Sequence, residues 1–477
     1  MSSEPAATAI APRRLHRAGI AVLGVGALKD LALPLGVAFA SMVLGSGAGQ
    51  PLLRALGFGI LGVVVAVGVG YARWATTRWS VGDGTIRLRT GVLSERETDI
   101  PLGRVQAIDT VHGPVQRLFG VLGAHVQSAG GGKAGEIVLP ALTAADVELL
   151  RSAVRGRAAV GADAAAAAPL VERRLERGRL LLAALTAGQI GVIVPLLAAV
   201  PQLAEELWGG DLLRASRDGM RFVPETAPEW ALAVAALLGL AWLLSSAGAV
   251  VAFAGFGVAR DGDRLLIRRG LLAHRESTVP VARVQAVRIV EGVLRQPFGL
   301  VALRVEVAGY AKEAAAAQTL FPLLRREELA AFLAELLPEA GGDVPALERA
   351  PRRALRRYVL PPLAVAALAC VPVWFVVAWW PLLLLAPAAW WGVACWAAAG
   401  WALDAGRVAV RFRRMARTTV VAPVTRLQQH GLRQTVFQRR AALADLEVAV
   451  GAGTRGRVRH LDARVAGSVF DALRRTA

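Results

Sequence analysis

The sequence predicts a membrane protein of the α+β class, with about six transmembrane helices in three hairpins and a small β-rich domain after each hairpin. Three observations carry this reading: a mean hydropathy of +0.48, long apolar runs that come in pairs, and an ungapped internal repeat between them. At 477 residues the chain has room for about three domains of ~150 residues. With 55% hydrophobic residues it carries more apolar surface than such domains can hide, so a bilayer is its natural solvent.

The first hairpin is expected to contain an interfacial helix over 14–30, which keeps Lys29 and Asp30 away from the bilayer centre, then a short span over 31–44. A second span follows over 55–72, where Gly62, Ala66 and Gly70 recur at a spacing that lets another helix come close. The second pair runs over about 180–200 and 230–253, and the third over about 359–379 and 382–401, turning at Pro381. Basic clusters precede each pair: Arg13, Arg14 and Arg17; Arg173, Arg174, Arg177 and Arg179; Arg352, Arg353, Arg356 and Arg357. By the positive-inside rule all three face the cytoplasm, and so do the N-terminal tail and the soluble domains. The acidic loop over 201–229 fits the outside.

Composition also excludes. The net charge of +19 could suggest nucleic acid, but the arginines gather beside the apolar runs instead of forming one basic face. Cys370 and Cys395 both lie in predicted spans, which leaves neither a disulfide scaffold nor a zinc set. His16, His112, His125, His274, His430 and His460 have no metal-ligand spacing. Phosphate-binding loops, nucleophile elbows and kinase motifs are missing, so neither an enzyme nor a cofactor is expected.

The repeat is the strongest signal. Residues 91–106 read GVLSERETDIPLGRVQ and residues 270–285 read GLLAHRESTVPVARVQ; the match extends to QRLFGV at 116–121 and RQPFGL at 295–300. A third copy, VVAPVTRLQQ at 420–429, is more worn, with Arg413 in place of the glycine and Ala441 in place of the phenylalanine. The shared P-x-x-R-[VL]-Q core comprises Pro101, Arg104 and Gln106; Pro280, Arg283 and Gln285; and Pro423, Arg426 and Gln428. Its guanidinium could recognise an anion or a backbone carbonyl. The other reading is structural, satisfying strand ends and fixing a turn, and persistence in every copy favours it. Alternating Ile86/Leu88 and Leu265/Ile267 follow Asp-Gly turns, HVQS at 125–128, LRVEV at 303–307 and LEVAV at 446–450 alternate too, and 143–157, 325–337 and 462–475 read as closing helices.

These residues resemble the bacterial membrane-flanked domains with a pleckstrin-homology-like (PH-like) fold, whose strands precede a P-x-x-R-[IV]-Q segment. The resemblance spans nearly the whole chain and implies a bent β-barrel with a C-terminal helix in each copy. The expected division is 1–75 tail, interfacial helix and hairpin 1; 76–158 domain 1; 159–172 linker; 173–256 hairpin 2; 257–338 domain 2; 339–351 linker; 352–403 hairpin 3; 404–477 domain 3, diverged. The family implies a role at the membrane, in envelope stress or tolerance of membrane-active peptides, and not a reaction. A scaffold binding membrane lipids and a membrane protein, or a short companion of the same family, is the first expectation. A transporter or channel with regulatory domains, using Lys29 and Asp30, and an anionic-lipid sensor are its rivals.

Overall fold

The computed structural model describes residues 10–30, 51–92, 94–128, 136–158, 171–186, 227–308, 319–340, 344–377, 382, 384–404, 406–450 and 455–476. The predicted span at 31–44, most of that at 180–200, the acidic loop up to residue 226 and the turn at Pro381 lie outside them. The chain divides into two compact units: Met1–Ala167 with Arg174–Gly257 and Arg268–Thr278, and Ala168–Arg173 with Val258–Ile267 and Val279–Ala477.

In the first unit, β1 (Ile10–Arg14), β2 (Arg78–Gly82), β3 (Thr85–Thr90) and β4 (Arg96–Pro101) form an antiparallel sheet in that order. Ile86 and Leu88 are buried, whereas Arg87 and Arg89 between them reach across to Asp99 and Glu97 on β4. That two-residue period is what a strand with one wet face requires. Asp83 and Gly84 both take positive φ (52° and 70°), the turn whose twist matches its flanking strands. A second sheet contains β5 (Val105–His112), β6 (Leu122–Ser128) and β7 (Glu136–Leu142). The Ala144–Ala158 helix closes the barrel with Val147 and Leu150 against Trp79, Ile86, Ile100, Val126, Ile137 and Leu139. Each such aliphatic side chain contributes about 1.5–3 kcal/mol by burial.

The interfacial helix expected over 14–30 is corrected: residues 10–14 are a strand and the helix occupies 19–30. Ile10 pairs with Val81 and Arg14 with Arg78, so the first barrel strand precedes the helices over 19–30 and Pro51–Thr76. Those helices are therefore an insertion between strands one and two, not a preface to the domain. IAPRR has no alternation to reveal this, and Pro12 is tolerated because an edge strand can spare an amide. Residues 62, 66 and 70 of the Pro51–Thr76 helix are all buried, and a Cβ at Gly70 would lie 2.8 Å from Gly24 Cα. The small-residue stripe thus seats helix 19–30. Trp74 Nε1 donates to the carbonyls of Leu15 and His16, at 3.0 and 3.1 Å.

The insertion recurs. β8 (Val171–Arg174), inside the expected linker and hairpin start, lies beside β9 (Gly257–Asp261), with the Arg177–Leu185 and Ala227–Phe253 helices between them in sequence. β10 (Arg264–Arg269) and β11 (His274–Pro280) follow, then β12 (Val284–Glu291), β13 (Leu300–Val307), β14 (Thr319–Arg325) and the Leu329–Leu336 helix. In the third copy β15 (Glu348–Arg349) pairs with β16 (Gly400–Asp404), across the Leu355–Val377 and Leu385–Ala398 helices. The span expected to reach Trp401 ends at Ala398, because Gly400–Asp404 alternates buried and half-buried residues as a strand; hydropathy alone cannot separate GWAL from a helix end. β17 (Arg407–Arg413), β18 (Arg417–Pro423), β19 (Leu427–Arg433), β20 (Leu443–Val450), β21 (Arg455–Asp462) and the amphipathic Ala463–Thr476 helix complete it. Among the described residues, two helices are long and apolar enough to cross a membrane, within Gly59–Thr76 and Ala235–Phe253, against the six expected.

Sheets pass from one copy to the next. In the first unit β5 pairs with β11, His112 opposite His274 and Thr110 opposite Glu276. In the second β12 pairs with β18, Glu291 opposite Arg417 and Ile289 opposite Thr419. His112 and Glu291 each lie six residues after the motif glutamine, and His274 and Arg417 six residues before the motif proline. The register of the two junctions is the same.

Candidate functional site

The P-x-x-R-[VL]-Q core forms the same structure three times. Pro101, Pro280 and Pro423 end strands, a single 3-10 turn follows at Leu102–Arg104, Val281–Arg283 and Val424–Arg426, and the glutamine lies in the next strand. The residue after each proline is buried and donates its amide to the hairpin turn: Leu102 to Gly84 O, Val281 to Asp263 O and Val424 to Gly406 O, at 2.8, 2.9 and 2.8 Å. The chain is thereby switched from one sheet to the other. Arg104 and Arg426 are exposed, as is Gln428, whereas Arg283 and Gln285 are half-buried. Each copy of the motif occupies its own strand-turn-strand corner.

The repeated glycine has a steric cause. Gly91 and Gly270 take φ of 132° and 105°, and a Cβ there would lie 1.9 and 2.1 Å from the carbonyl oxygens of Ser94 and Ala273. At the equivalent Arg413 the third copy runs its strand on instead. This freed Arg413 to bond the Gln296 side chain and stand 5.8 Å over the Trp391 ring.

Both junctions bury a carboxylate. Asp109 in β5 is 7% exposed and accepts from Gln127 Nε2 (3.1 Å) and the Thr278 amide (3.3 Å). Burial pushes its pKa from 3.8 up to about 6; the Thr278 amide, His125, Ser277 and Arg269 pull it back only in part. Arg269 is itself lowered to about 10 by burial and by Arg275. In the other junction Glu291, 3% exposed, accepts from Arg417 and lies 3.5 Å from Arg326. Neither acid was singled out from sequence, since each is an isolated charge in an alternating strand.

A basic cavity of about 340 Å³ opens in the second unit where the third copy meets its helices, lined by Arg357, Arg413, Arg414, Arg457, Arg459 and His460 with Tyr358, Trp391 and Phe412. Arg413 at the end of β17 and Arg414 just after it stand there with Arg457 and Arg459 of β21. Beneath it buried Asp445 accepts from Arg457 NH2 (2.5 Å) and the His460 amide (2.8 Å). Tyr358 donates to the Arg459 carbonyl at 2.6 Å and meets the His460 ring edge-on at 5.2 Å. Burial lowers the His460 pKa, with Asp445 opposing. Asp445 and, at 3.1 Å, Glu447 both take Arg457, which leaves the guanidinium forks of Arg357, Arg413, Arg414 and Arg459 around a surface able to hold an anion of phosphate size. Neither RFRR nor RVRH was singled out from sequence, since each is a short arginine cluster far from the other in the chain.

Each copy also exposes an apolar pair on the turn after its fifth strand: Leu118 and Phe119, Leu294 and Phe298, Val436 and Phe437. Phe119 lines an apolar groove with helix residues Ala21, Val25 and Val63. Such contiguous exposed apolar groups mark contact with lipid or protein.

Seven strands in a four-plus-three arrangement with one closing helix, threaded by an apolar hairpin, define a membrane-anchored array of PH-like repeats. The chain belongs to the family described as Bacterial PH domain, which it matches three times, over residues 23–158, 185–340 and 358–477. It is similar to the UPF0699 transmembrane protein YdbT of Bacillus subtilis (strain 168), 27% identical over 470 residues and covering 92% of each chain. No solved structure matches it.

Proposed function

We propose that this is a non-enzymatic membrane protein, with six spans in three hairpins, whose three PH-like repeats form a protein-interaction scaffold on the cytoplasmic surface. The observation behind it is the twice-used junction of identical register, β5 on β11 and β12 on β18. Main-chain pairing of this kind fixes repeats in a defined order, which a scaffold needs and which catalysis or permeation does not. A companion of the same family, or another membrane protein, is the partner such an array suits. Single cysteines at Asp83, Gly262 and Ala405, in a chain lacking Cys370 and Cys395, should be labelled only from the cytoplasm; external labelling at any one breaks the topology. Photo-crosslinkers on the exposed β4 and β19 should capture a discrete protein in intact cells, and absence of any specific adduct would sink the scaffold.

The basic cavity supports a second reading, recognition of anionic headgroups. With ~1 kcal/mol per juxtamembrane arginine, R413A and R459A should each weaken binding of a soluble short-chain phosphatidylglycerol to the reconstituted protein about five-fold. Unchanged binding in both would refute it.

A further inference from the structure

The two internal junctions use one edge from each sheet of a repeat. β5 and β12 begin the three-stranded sheets of their copies, and each receives the last strand of the next copy's first sheet, β11 or β18. Among the described residues the same two edges exist once more without a neighbouring strand. Among the described residues β4 is the terminal strand of β1-β2-β3-β4, and β19 is the terminal strand of β19-β20-β21. β4 is the counterpart of β11 and β18; β19 is the counterpart of β5 and β12. Exposure is graded the same way: β18 is mostly buried, β12 half-buried, and β11 holds two buried residues, whereas β4 holds one and β19 none. An unpaired edge is a template for another strand, and these two are a matched pair within one sequence.

We propose that β4 of one molecule pairs antiparallel with β19 of a second copy, repeating the internal junction end to end along the membrane. This deepens the scaffold reading and rests on it. Six residues before Pro101 is Glu95 and six after Gln428 is Gln434, so the internal register places Glu95 opposite Gln434, Glu97 opposite Leu432 and Asp99 opposite His430. In that register Asp99 falls opposite His430, and Arg96 falls opposite Arg433 with Glu95 and Glu97 on either side of it. Glu95 and Gln434 stand at the position that Arg417 and Glu291 take in the internal junction. The contact is heterologous, so it does not end at a dimer: each added copy presents a fresh β4 and β19, giving a ring or an open row. Anchorage of every copy in one bilayer confines the encounter to two dimensions and raises the effective concentration of the edges.

The experiment uses the full chain with Cys370 and Cys395 replaced by alanine. Two differently tagged copies, one E95C and the other Q434C, are co-expressed and oxidised in native membranes. Directly opposite residues have Cβ atoms about 4.5–5.5 Å apart, so a disulfide carrying both tags is expected, several-fold above that between two E95C copies. Moving the first cysteine to T98C displaces it by about 10 Å and should return the signal to background. In a single chain, H112C with H274C closes across the internal junction and reports a folded array. Closure of that control without any link between copies, or linkage of the E95C and Q434C positions only inside one doubly substituted chain, overturns the proposal while leaving the internal array intact. So does occupation of the edges by a separate single-repeat protein, seen as a mixed disulfide of that mass with no link between tags.

Discussion

Removal of the Glu291 charge tests whether the inter-repeat junction is a cooperative part of the fold. Glu291 is 3% exposed at the end of β12 and receives Arg417 of β18, itself one-quarter exposed, with Arg326 at 3.5 Å. E291Q keeps the shape, yet leaves the guanidinium of Arg417 in a half-dry site facing a neutral amide. Removing one partner of a buried pair costs about 3–5 kcal/mol; the partial exposure of Arg417 and the retained amide oxygen lower the expectation to about 2–4 kcal/mol. For a unit of this size that corresponds to a fall in Tm of about 5–10 °C. The assay is thermal unfolding of the full chain in detergent, with hydrogen exchange to locate the change. Amides of β12 and β18 should lose protection before those of β20 and β21. E97Q on exposed β4, whose partner Arg89 is also exposed, serves as the comparison and should cost no more than about 0.5 kcal/mol. E291L combined with R417L should recover much of the loss, because two apolar groups leave no stranded charge. Equal melting of E291Q and E97Q would refute the cooperative junction, and unchanged exchange at β18 would place the effect elsewhere.

Other expectations follow from the same structure. G270A forces a Cβ to 2.1 Å from the Ala273 carbonyl at a φ that L-residues avoid, and should lower stability by about 2–4 kcal/mol; a thermal melt equal to that of the unaltered chain would deny the glycine its steric role. Asp109 carries a folded pKa of about 6 against an ordinary 3.8, so the folded state holds its proton longer and the associated stability is present below pH 4 and lost as pH rises through 6. The displacement amounts to about 3 kcal/mol, and D109A should flatten that part of a stability-against-pH curve. His460 has the opposite sign: burial favours its neutral form, so its contribution is present above its ordinary pKa of 6.5 and fades as pH falls; H460Q should remove that dependence. W74F loses the donor to the Leu15 and His16 carbonyls and should cost about 1 kcal/mol, measurable as faster proteolysis at the base of the first hairpin.

The sequence alone determined the pieces that depend on local pattern. Alternation at Ile86/Leu88 and Leu265/Ile267, the Asp83-Gly84 turn, and closing helices within a few residues of Ala144–Ala158, Leu329–Leu336 and Ala463–Thr476 were legible because each is written in neighbouring residues. The threefold repeat was legible because the two better copies align without a gap. Tertiary structure alone decided three further things. Strands β1, β8 and β15 are two to five residues long with little alternation, and their partners lie beyond long apolar helical segments, so nothing local announces that those segments interrupt a barrel. The basic cavity combines β17, β21 and two helix ends, and its arginines become a site only when two strands far apart in sequence bring them to one side. The pairing of β5 with β11 and of β12 with β18 was decided there too, because backbone amides and carbonyls are the same in every residue: which edge they choose depends on what the folded repeats leave open.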